Sequence, residues 1–193
     1  MTGASDVPRE FATPEEILAW ARRHYGRRWL RSLTGAQVEA LRAVKSDAYV
    51  AINRYLRHGV APALPPASTI RRWVDDANAA LLVKPLDRAI VTYRGLSLER
   101  SLQIADPASP VGSVFRDRGL VSTTLWRPVA RRFGADLMEI VLPRGTPAAW
   151  LEEVSPRNEF EILLQTDNLF RISAFEVRDG ERILRIELVG RAL

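Results

Sequence analysis

The chain has 193 residues, of which 47% are hydrophobic and 26% are charged, a composition typical of a globular protein. It has no cysteine and two histidines, which excludes a disulfide framework, a cysteine nucleophile and thiolate or histidine-rich metal sites, so no metal is expected. No apolar run approaches the roughly 18 residues of a membrane span, and no signal-peptide pattern opens the chain. The net charge of +5 fits either an anionic partner such as nucleic acid or a solvated arginine-rich surface.

Three helices are predicted in the first part of the chain, each with a start signal. The first two begin with a capping box, in which a threonine and a Glu or Gln three residues later satisfy free backbone amides. The third follows a proline-rich connection, "VAPALPPAS". The expected bounds are residues 13–25, residues 34–59 with a stop at Gly59, and Ser68 to about Leu82.

The second part of the chain predicts strands, because short runs rich in β-branched and aromatic residues alternate with Gly, Pro and Asp. Asp179-Gly180, between the last two runs, is a strong hairpin signal. A short helix is expected between Trp126 and Phe133. The expected strands are residues 88–95, 137–143, 159–165, 169–177 and 182–190.

Helices followed by strands predict an α+β fold. The length is that of one well-buried domain, which we expect to cover residues 1–193. Within it, residues 1–84 form the helical part and residues 85–193 the β-rich part.

The segment "EFEILLQ", residues 159–165, places two carboxylates in an otherwise apolar strand. Because side chains alternate faces along a strand, Glu159 and Glu161 are expected on one face and Phe160 on the other. Like charges this close repel each other unless they face water, a cation or a substrate. A solvated edge strand and a functional pair both fit this segment.

Two other short motifs carry polar groups at strand ends. "VTYRG" ends in Arg94 and Gly95, which offer a guanidinium fork for phosphate oxygens and room for close backbone approach. "GLVSTTLW" holds the consecutive hydroxyls of Ser122, Thr123 and Thr124, which can orient a carboxylate. Taken singly, the first also fits a surface salt bridge and the second an exposed strand face.

Together, Tyr-Arg-Gly, Ser-Thr-Thr and Glu-x-Glu resemble, in that order, the Arg, Ser-Thr-Ser, Glu-x-Glu signature of the bacterial-toxin-like mono-ADP-ribosyltransferases. Upstream, "YVAINRYLR" is similar to that family's helix ending in Tyr-x-x-Ile-Asn-x-x-Leu-Arg, and "PLDRAIVTYRG" to its approach to the first motif. The resemblance covers about residues 35–190, whereas the first twelve residues match nothing. Thr124 stands where the family usually has a second serine and keeps the hydroxyl.

This resemblance implies N-terminal helices packed on a split β-sandwich that clasps NAD, the substrate that donates ADP-ribose. It implies that Arg94 binds the NAD phosphates and ribose and that Ser122 positions the catalytic carboxylate. Glu161 would bind the 2′-hydroxyl of the nicotinamide ribose, and Glu159 would act on the acceptor. In this family Glu-x-Glu goes with arginine modification. The expected reaction is therefore mono-ADP-ribosyl transfer from NAD to an arginine of a target protein, with release of nicotinamide.

Further site residues follow from the same resemblance. The expected NAD-binding residues are Arg94, Gly95, Ser122, Thr123, Thr124 and Phe133. The expected substrate-recognition residues are Glu159, Trp150 and Arg157, although Trp150 fits a core position as well.

Two other functions use the same features: an NAD glycohydrolase with water as the acceptor, and a protein that binds or ADP-ribosylates nucleic acid. The expected partners are a target protein and, because the activity would poison the producing cell, an immunity or antitoxin protein, but no membrane. The expected form is soluble, in the bacterial cytoplasm or delivered into a target cell as a toxin or effector. Both a stand-alone protein and the C-terminal domain of a larger toxin fit the sequence.

Overall fold

The computed structural model describes residues 7–98 and 111–192, and it confirms the predicted α+β fold. Helices lead the chain, and an eight-stranded mixed sheet follows them. The helices are α1 Pro14–His24, α2 Gly26–Ser32, α3 Gly35–Val44, α4 Ala48–His58, α5 Ala67–Leu82 and α6 Arg127–Ala130. The strands are β1 Ile90–Leu96, β2 Val114–Asp117, β3 Val121–Thr124, β4 Asp136–Leu142, β5 Ala148–Trp150, β6 Glu161–Leu164, β7 Asn168–Arg178 and β8 Glu181–Arg191.

The prediction of one helix over residues 34–59 is wrong, because the chain turns between α3 and α4. The capping box that starts α3 is present, and Gly59 ends α4 in the left-handed conformation with φ 71°. Between the two helices the Ser46 hydroxyl donates to the carbonyl of Ala43 at 2.7 Å and accepts from the amide of Ala48 at 3.2 Å. This local pairing competes with the helix and leaves Lys45 at the end of α3.

Three strands and one helix, β2, β3, β5 and α2, are not among the expected elements, although the hydroxyl motif of β3 was expected at a strand end, and β6 begins two residues later than expected. The hairpin prediction is confirmed. Asp179 and Gly180 form a two-residue loop between β7 and β8, with φ values of 53° and 79°. Two positive φ values define the turn type whose twist matches the flanking strands.

The strand order is β2-β7-β8-β4-β1-β3-β6-β5, in which β4 and β8 are parallel and the other neighbours are antiparallel. Strands β1 and β4 pair over seven residues, whereas β1 and β3 share the single pair Tyr93↔Thr124. The sheet is therefore split between β1 and β3.

The helices and the sheet share one hydrophobic core. Tyr25, between α1 and α2, is 2% exposed, and its hydroxyl donates to the carbonyl of Ala148 on β5 at 3.2 Å. Trp20 and Trp29 pack against Tyr25 at ring distances of 5.8 and 5.1 Å. In the residues that the structure describes, no helix is long and apolar enough to cross a membrane.

The segment before α1 lies along β1. The amide of Arg9 donates to the carbonyl of Ala89 and the amide of Val91 donates to the carbonyl of Arg9, both at 2.9 Å. Phe11 is buried against Trp20, with ring centroids 5.4 Å apart. Residues 9–11 thus form part of the folded unit, although their sequence gave no indication of it.

Candidate active site

A cleft of about 260 Å³ opens over the split between β1 and β3. It gathers side chains from the C-terminal end of α3, the start of α4, strands β1, β3 and β6, and the segment around α6. Its lining includes all three sequence motifs. The lining residues that matter below are Lys45, Arg94, Gly95, Ser122, Thr123, Thr124, Phe133, Arg157, Glu159 and Glu161.

Arg94 enters the cleft from β1. In residues 7–98 and 111–192 the structure gives it no hydrogen bond and no ion pair. Other arginines are paired: Arg185 on β8 donates to Glu139 at 3.0 Å, and Arg131, just after α6, donates to Glu181 at 2.8 Å. A guanidinium free of protein acceptors in a cleft is suited to hold a phosphate in two parallel hydrogen bonds.

Gly95 is required by close packing of the segment after α6 onto β1. A Cβ atom at Gly95 would lie 1.9 Å from the carbonyl oxygen of Ala130, and one at Gly134 would lie 2.3 Å from the amide of Leu96. Because both positions are glycine, this segment reaches the cleft and brings Phe133 with it. The Phe133 side chain is 60% exposed, so its ring is open to an aromatic partner.

Three hydroxyls on β3 donate hydrogen bonds to three different groups within residues 159–162. Ser122 donates to Oε1 of Glu161. Thr123 donates to the carbonyl of Ile162 at 3.0 Å. Thr124 donates to the carbonyl of Glu159 at 2.6 Å and accepts from the amide of Trp126 at 3.0 Å. The three hydroxyls therefore fix the glutamate side chain and the backbone on either side of it.

Glu159 and Glu161 converge as predicted, but regular strand alternation is not the cause. Strand β6 begins at Glu161, and Phe160 has a φ of 51°, in the left-handed region. The carboxylates of Glu159 and Glu161 both accept from the ammonium group of Lys45, with 2.5 Å between Nζ and Oε2 of Glu159. The Glu161 side chain is 9% exposed and that of Glu159 is 31% exposed.

Lys45 is the site residue that the sequence analysis missed. Its side chain is 2% exposed, and Glu152 approaches it as a third carboxylate, 3.5 Å from Nζ. Burial disfavours the charged form, but Glu161, Glu159 and Glu152 outweigh burial, so the pKa of Lys45 is raised above its ordinary value. The signal available in the sequence was that only Lys45 and Lys84 are lysine among 28 basic residues.

Glu152 organises the loop before the glutamate pair. Its carboxylate accepts from three consecutive backbone amides, those of Arg157 at 2.7 Å, Asn158 at 2.9 Å and Glu159 at 3.1 Å. A carboxylate that accepts several amides holds an irregular loop in one conformation. Glu152 therefore sets the backbone from which Glu159 reaches the cleft.

The two predicted substrate-contact residues of this loop lie in different environments. Arg157 is exposed and lines the cleft. Trp150 is 2% exposed and packs in the core, with its ring 6.5 Å from that of Phe160. The structure thus places Trp150 at the core position that its sequence also allowed, and the predicted contact with substrate is not supported there.

The arrangement is suited to stabilise positive charge that develops on a bound group. A buried carboxylate, fixed by a hydroxyl and an ammonium, lines the same cleft as the Arg94 guanidinium. Fixed charges in a water-poor site stabilise a transition state strongly, since they need no reorganisation.

Residues 18–190 match the family model for ADP-ribosyltransferase exoenzymes, and the chain belongs to that family. Among curated proteins, it is 26% identical to NAD(+)--arginine ADP-ribosyltransferase EFV of Enterococcus faecalis over 174 residues, which cover 84% of this chain and 33% of that protein. The ADP-ribosylating toxin BECa of a C. perfringens binary enterotoxin, solved with NADH, superposes with a TM-score of 0.82 at 19% identity, over 94% of this chain and 50% of that one. The Clostridium limosum C3 exoenzyme gives a TM-score of 0.82 at 17% identity, over 96% and 98% of the two chains.

These similarities differ in how much of each relative they cover. The chain spans about a third of the curated relative and half of the BECa chain, but nearly all of the C3 exoenzyme. The structural similarities, at less than 25% identity, concern the fold. It is the ADP-ribosyltransferase toxin fold, which the sequence motifs predicted.

Proposed function

We propose that this chain is a mono-ADP-ribosyltransferase that moves ADP-ribose from NAD to an arginine of a target protein and releases nicotinamide. The observation that carries the proposal is the convergence of Glu159 and Glu161 in the cleft that Arg94 also lines, where its guanidinium has no partner among the described residues. The arginine acceptor named for the Enterococcus faecalis relative supports the acceptor class.

Glu161 acts on the donor. Breaking the bond between ribose and the cationic nicotinamide builds positive charge on the sugar, as in glycoside cleavage. Glu161, held by Ser122 at one oxygen and by Lys45 at the other, presents a fixed negative charge to that sugar. Its low exposure strengthens the electrostatic effect, because little water screens it.

Glu159 acts on the acceptor. An arginine is protonated at neutral pH, so a carboxylate has to bind the guanidinium and take its proton as the new bond to ribose forms. One oxygen of Glu159, Oε2, accepts from Lys45, and Oε1 has no donor among the described residues. The greater exposure of this side chain supports a role toward an incoming protein.

NAD fits the rest of the cleft. The Arg94 guanidinium, which has no partner in the part of the chain that the structure describes, suits its pyrophosphate, and the exposed ring of Phe133 suits stacking on a base or nicotinamide ring. Gly95 contributes indirectly, because the backbone of Ala130 and Gly134 fills the space of a Cβ atom there and so brings the segment of Phe133 to the cleft.

The partners follow from this activity. The target is a protein with an accessible arginine, and a producing cell that contains the active enzyme needs an immunity or antitoxin protein. Expression of the wild-type protein alone is expected to arrest growth, whereas Glu161→Gln is expected to be tolerated. Normal growth with active wild-type protein would contradict the need for an inhibitor.

The decisive test is transfer of label from tagged NAD into a cell lysate, with released nicotinamide measured in the same samples. Wild type should label protein at arginine, and Glu161→Gln should abolish both label and release. Glu187→Gln, on β8 outside the cleft lining, is the matched control and should behave as wild type.

Substitution of Glu159, the residue proposed to act on the acceptor, provides a second part of the test. Glu159→Gln should lose protein label while it still releases nicotinamide, because the donor carboxylate remains. Release without protein label in wild type would indicate a glycohydrolase, and label that nuclease removes would indicate nucleic acid as the acceptor. No NAD turnover in any lysate would overturn the proposal.

A further inference from the structure

Lys45 is an unusual residue to find in this cleft. The chain uses lysine at two positions only, and one of them lies between the two carboxylates assigned to the reaction. The other, Lys84, lies outside the cleft lining. A buried ammonium costs several kcal/mol of desolvation unless carboxylates pair with it.

Lys45 reaches the pair from the C-terminal end of α3. Lys45 is the residue at which α3 ends, and the turn made by Ser46 prevents the helix from continuing. The C-terminal end of a helix stabilises a nearby cation through the helix dipole. The break between α3 and α4 therefore both places the Lys45 side chain and stabilises its positive charge.

We propose that Lys45 is a positioning residue that keeps Glu159 and Glu161 both ionised and turned toward each other in the absence of substrate. The catalytic consequence of this role rests on the proposed function. A compact ammonium with three donors reaches both carboxylates at once, and Glu152 takes the third contact. Like charges this close would otherwise share a proton, and one carboxylate would become neutral.

The carboxylate oxygens of the two glutamates are bound by different donors, which has a second consequence. Lys45 occupies Oε2 of Glu159 and Oε2 of Glu161, and Ser122 occupies Oε1 of Glu161. Within residues 7–98 and 111–192 no donor contacts Oε1 of Glu159, so this oxygen is available to an acceptor. Lys45 thereby selects which oxygen of Glu159 meets the incoming guanidinium.

The charged and titratable groups that face the pair come from several elements. Lys45 reaches it from α3, and Glu152 approaches from the 3-10 turn at Leu151–Glu153. The remaining titratable groups that line the cleft are Tyr49, Tyr93, Arg94 and Arg157. Of these, Tyr93 is held by Glu10 and its pKa is raised by burial, so it stays neutral near pH 7. Arg94 and Arg157 form no ion pair with either glutamate among the described residues, so Lys45 is the cation whose removal should change the ionisation of the pair.

The test is an NMR titration of the glutamate side-chain carboxyl carbons in the protein without NAD. In Lys45→Met, one carboxyl of the pair should titrate about one pH unit or more above its wild-type midpoint. Lys84→Met, the matched control, should leave both midpoints unchanged, and Lys45→Arg should keep them near wild type because it retains the cation. Unchanged midpoints in Lys45→Met would overturn the inference.

A double variant keeps the test decisive if Lys45→Met folds poorly. In Lys45→Met/Glu159→Gln the repulsion between the pair is gone, so the protein should regain stability and the Glu161 midpoint should fall back toward wild type. A Glu161 midpoint as high as in the single variant would contradict the pairing.

Activity is measured separately. The acid limb of the transfer rate should move to higher pH in Lys45→Met by the same amount as the carboxyl midpoint, and Lys84→Met should not move it. Wild type without NAD turnover would overturn the proposed function, while the titration would still decide the role of Lys45. A shifted titration with an unmoved acid limb would contradict the role of Lys45 in the reaction.

Discussion

Thr124 and Glu159, separated by 35 positions in the chain, are joined by one hydrogen bond of 2.6 Å from the Thr124 hydroxyl to the Glu159 carbonyl. The same hydroxyl accepts from the amide of Trp126. The end of β3 is thus tied at one atom to the backbone just before β6, at the residue whose carboxylate we propose to act on the acceptor.

Thr124→Val should therefore reduce ADP-ribosyl transfer about tenfold, the cost of roughly 1.4 kcal/mol expected from losing one or two such bonds. Nicotinamide release should fall less, because Ser122 still holds Glu161. The rates of transfer and release are measured side by side. Thr92→Val, at a buried threonine outside the cleft lining, is the control, and equal losses of both rates in Thr124→Val would contradict a role specific to the acceptor side.

Ser122→Ala removes the donor at Oε1 of Glu161 and should lower kcat about 10- to 100-fold, with little change in KM for NAD. The reason is that, in the proposed function, the hydroxyl orients a group that acts on the transition state, whereas NAD is bound by Arg94 and the ring of Phe133. Steady-state kinetics of nicotinamide release measure both constants. Ser173→Ala, an exposed serine on β7, should match wild type, and a rise in KM alone would contradict this assignment.

Gly95→Ala should destabilise the fold by about 1–3 kcal/mol, since the added methyl group would lie 1.9 Å from the Ala130 carbonyl oxygen. Gly35→Ala is the control, because a Cβ there meets nothing within 4 Å and the position begins α3. Chemical denaturation of the two variants measures the difference. Equal stability of both would mean that the segment after α6 moves aside at little cost.

His24 should make the protein less stable as the pH falls below neutrality. It is 6% exposed, and burial lowers its pKa despite the nearby Asp87. The unfolded chain therefore binds the proton first, and stability is lost as the pH falls through the unfolded pKa of about 6.5.

The check is the free energy of unfolding of His24→Phe between about pH 5 and pH 7. Phenylalanine keeps the stacking on Trp20, where the rings lie 5.4 Å apart, and removes the titration. Its curve should be flatter than that of wild type, while His58→Gln, at an exposed histidine, should retain the slope. If the unfolding free energy of His24→Phe keeps the pH dependence of wild type, groups other than His24 cause that dependence.

The parts of the fold that the sequence predicted are those with local signals. Two positive-φ positions at Asp179-Gly180 need no distant partner, and the apolar periodicity of α1 and α5 marks one buried face of each. The site residues on β1, β3 and β6 were found because each motif stands in one short stretch of sequence.

Other features depend on contacts that no short stretch contains. Val44, Ala48 and Ile52 keep helical spacing through the break, so periodicity did not reveal the turn that directs Lys45. Phe160 adopts a positive φ although phenylalanine has no local preference for it, and the contacts of Glu152 and Thr124 hold the neighbouring backbone. Strand β5 has three residues and is defined by its pairing with β6.

The segment at residues 9–11 gives the cleft a mechanical connection to the chain that precedes the helices. Its two backbone hydrogen bonds join Arg9 to Ala89, just before β1, and to Val91 on β1, and Glu10 accepts from Tyr93, the neighbour of Arg94. A force applied upstream of Arg9 would act on these bonds before it reached the helical core. A partner that binds the chain at this point would therefore act directly on the strand that carries Arg94.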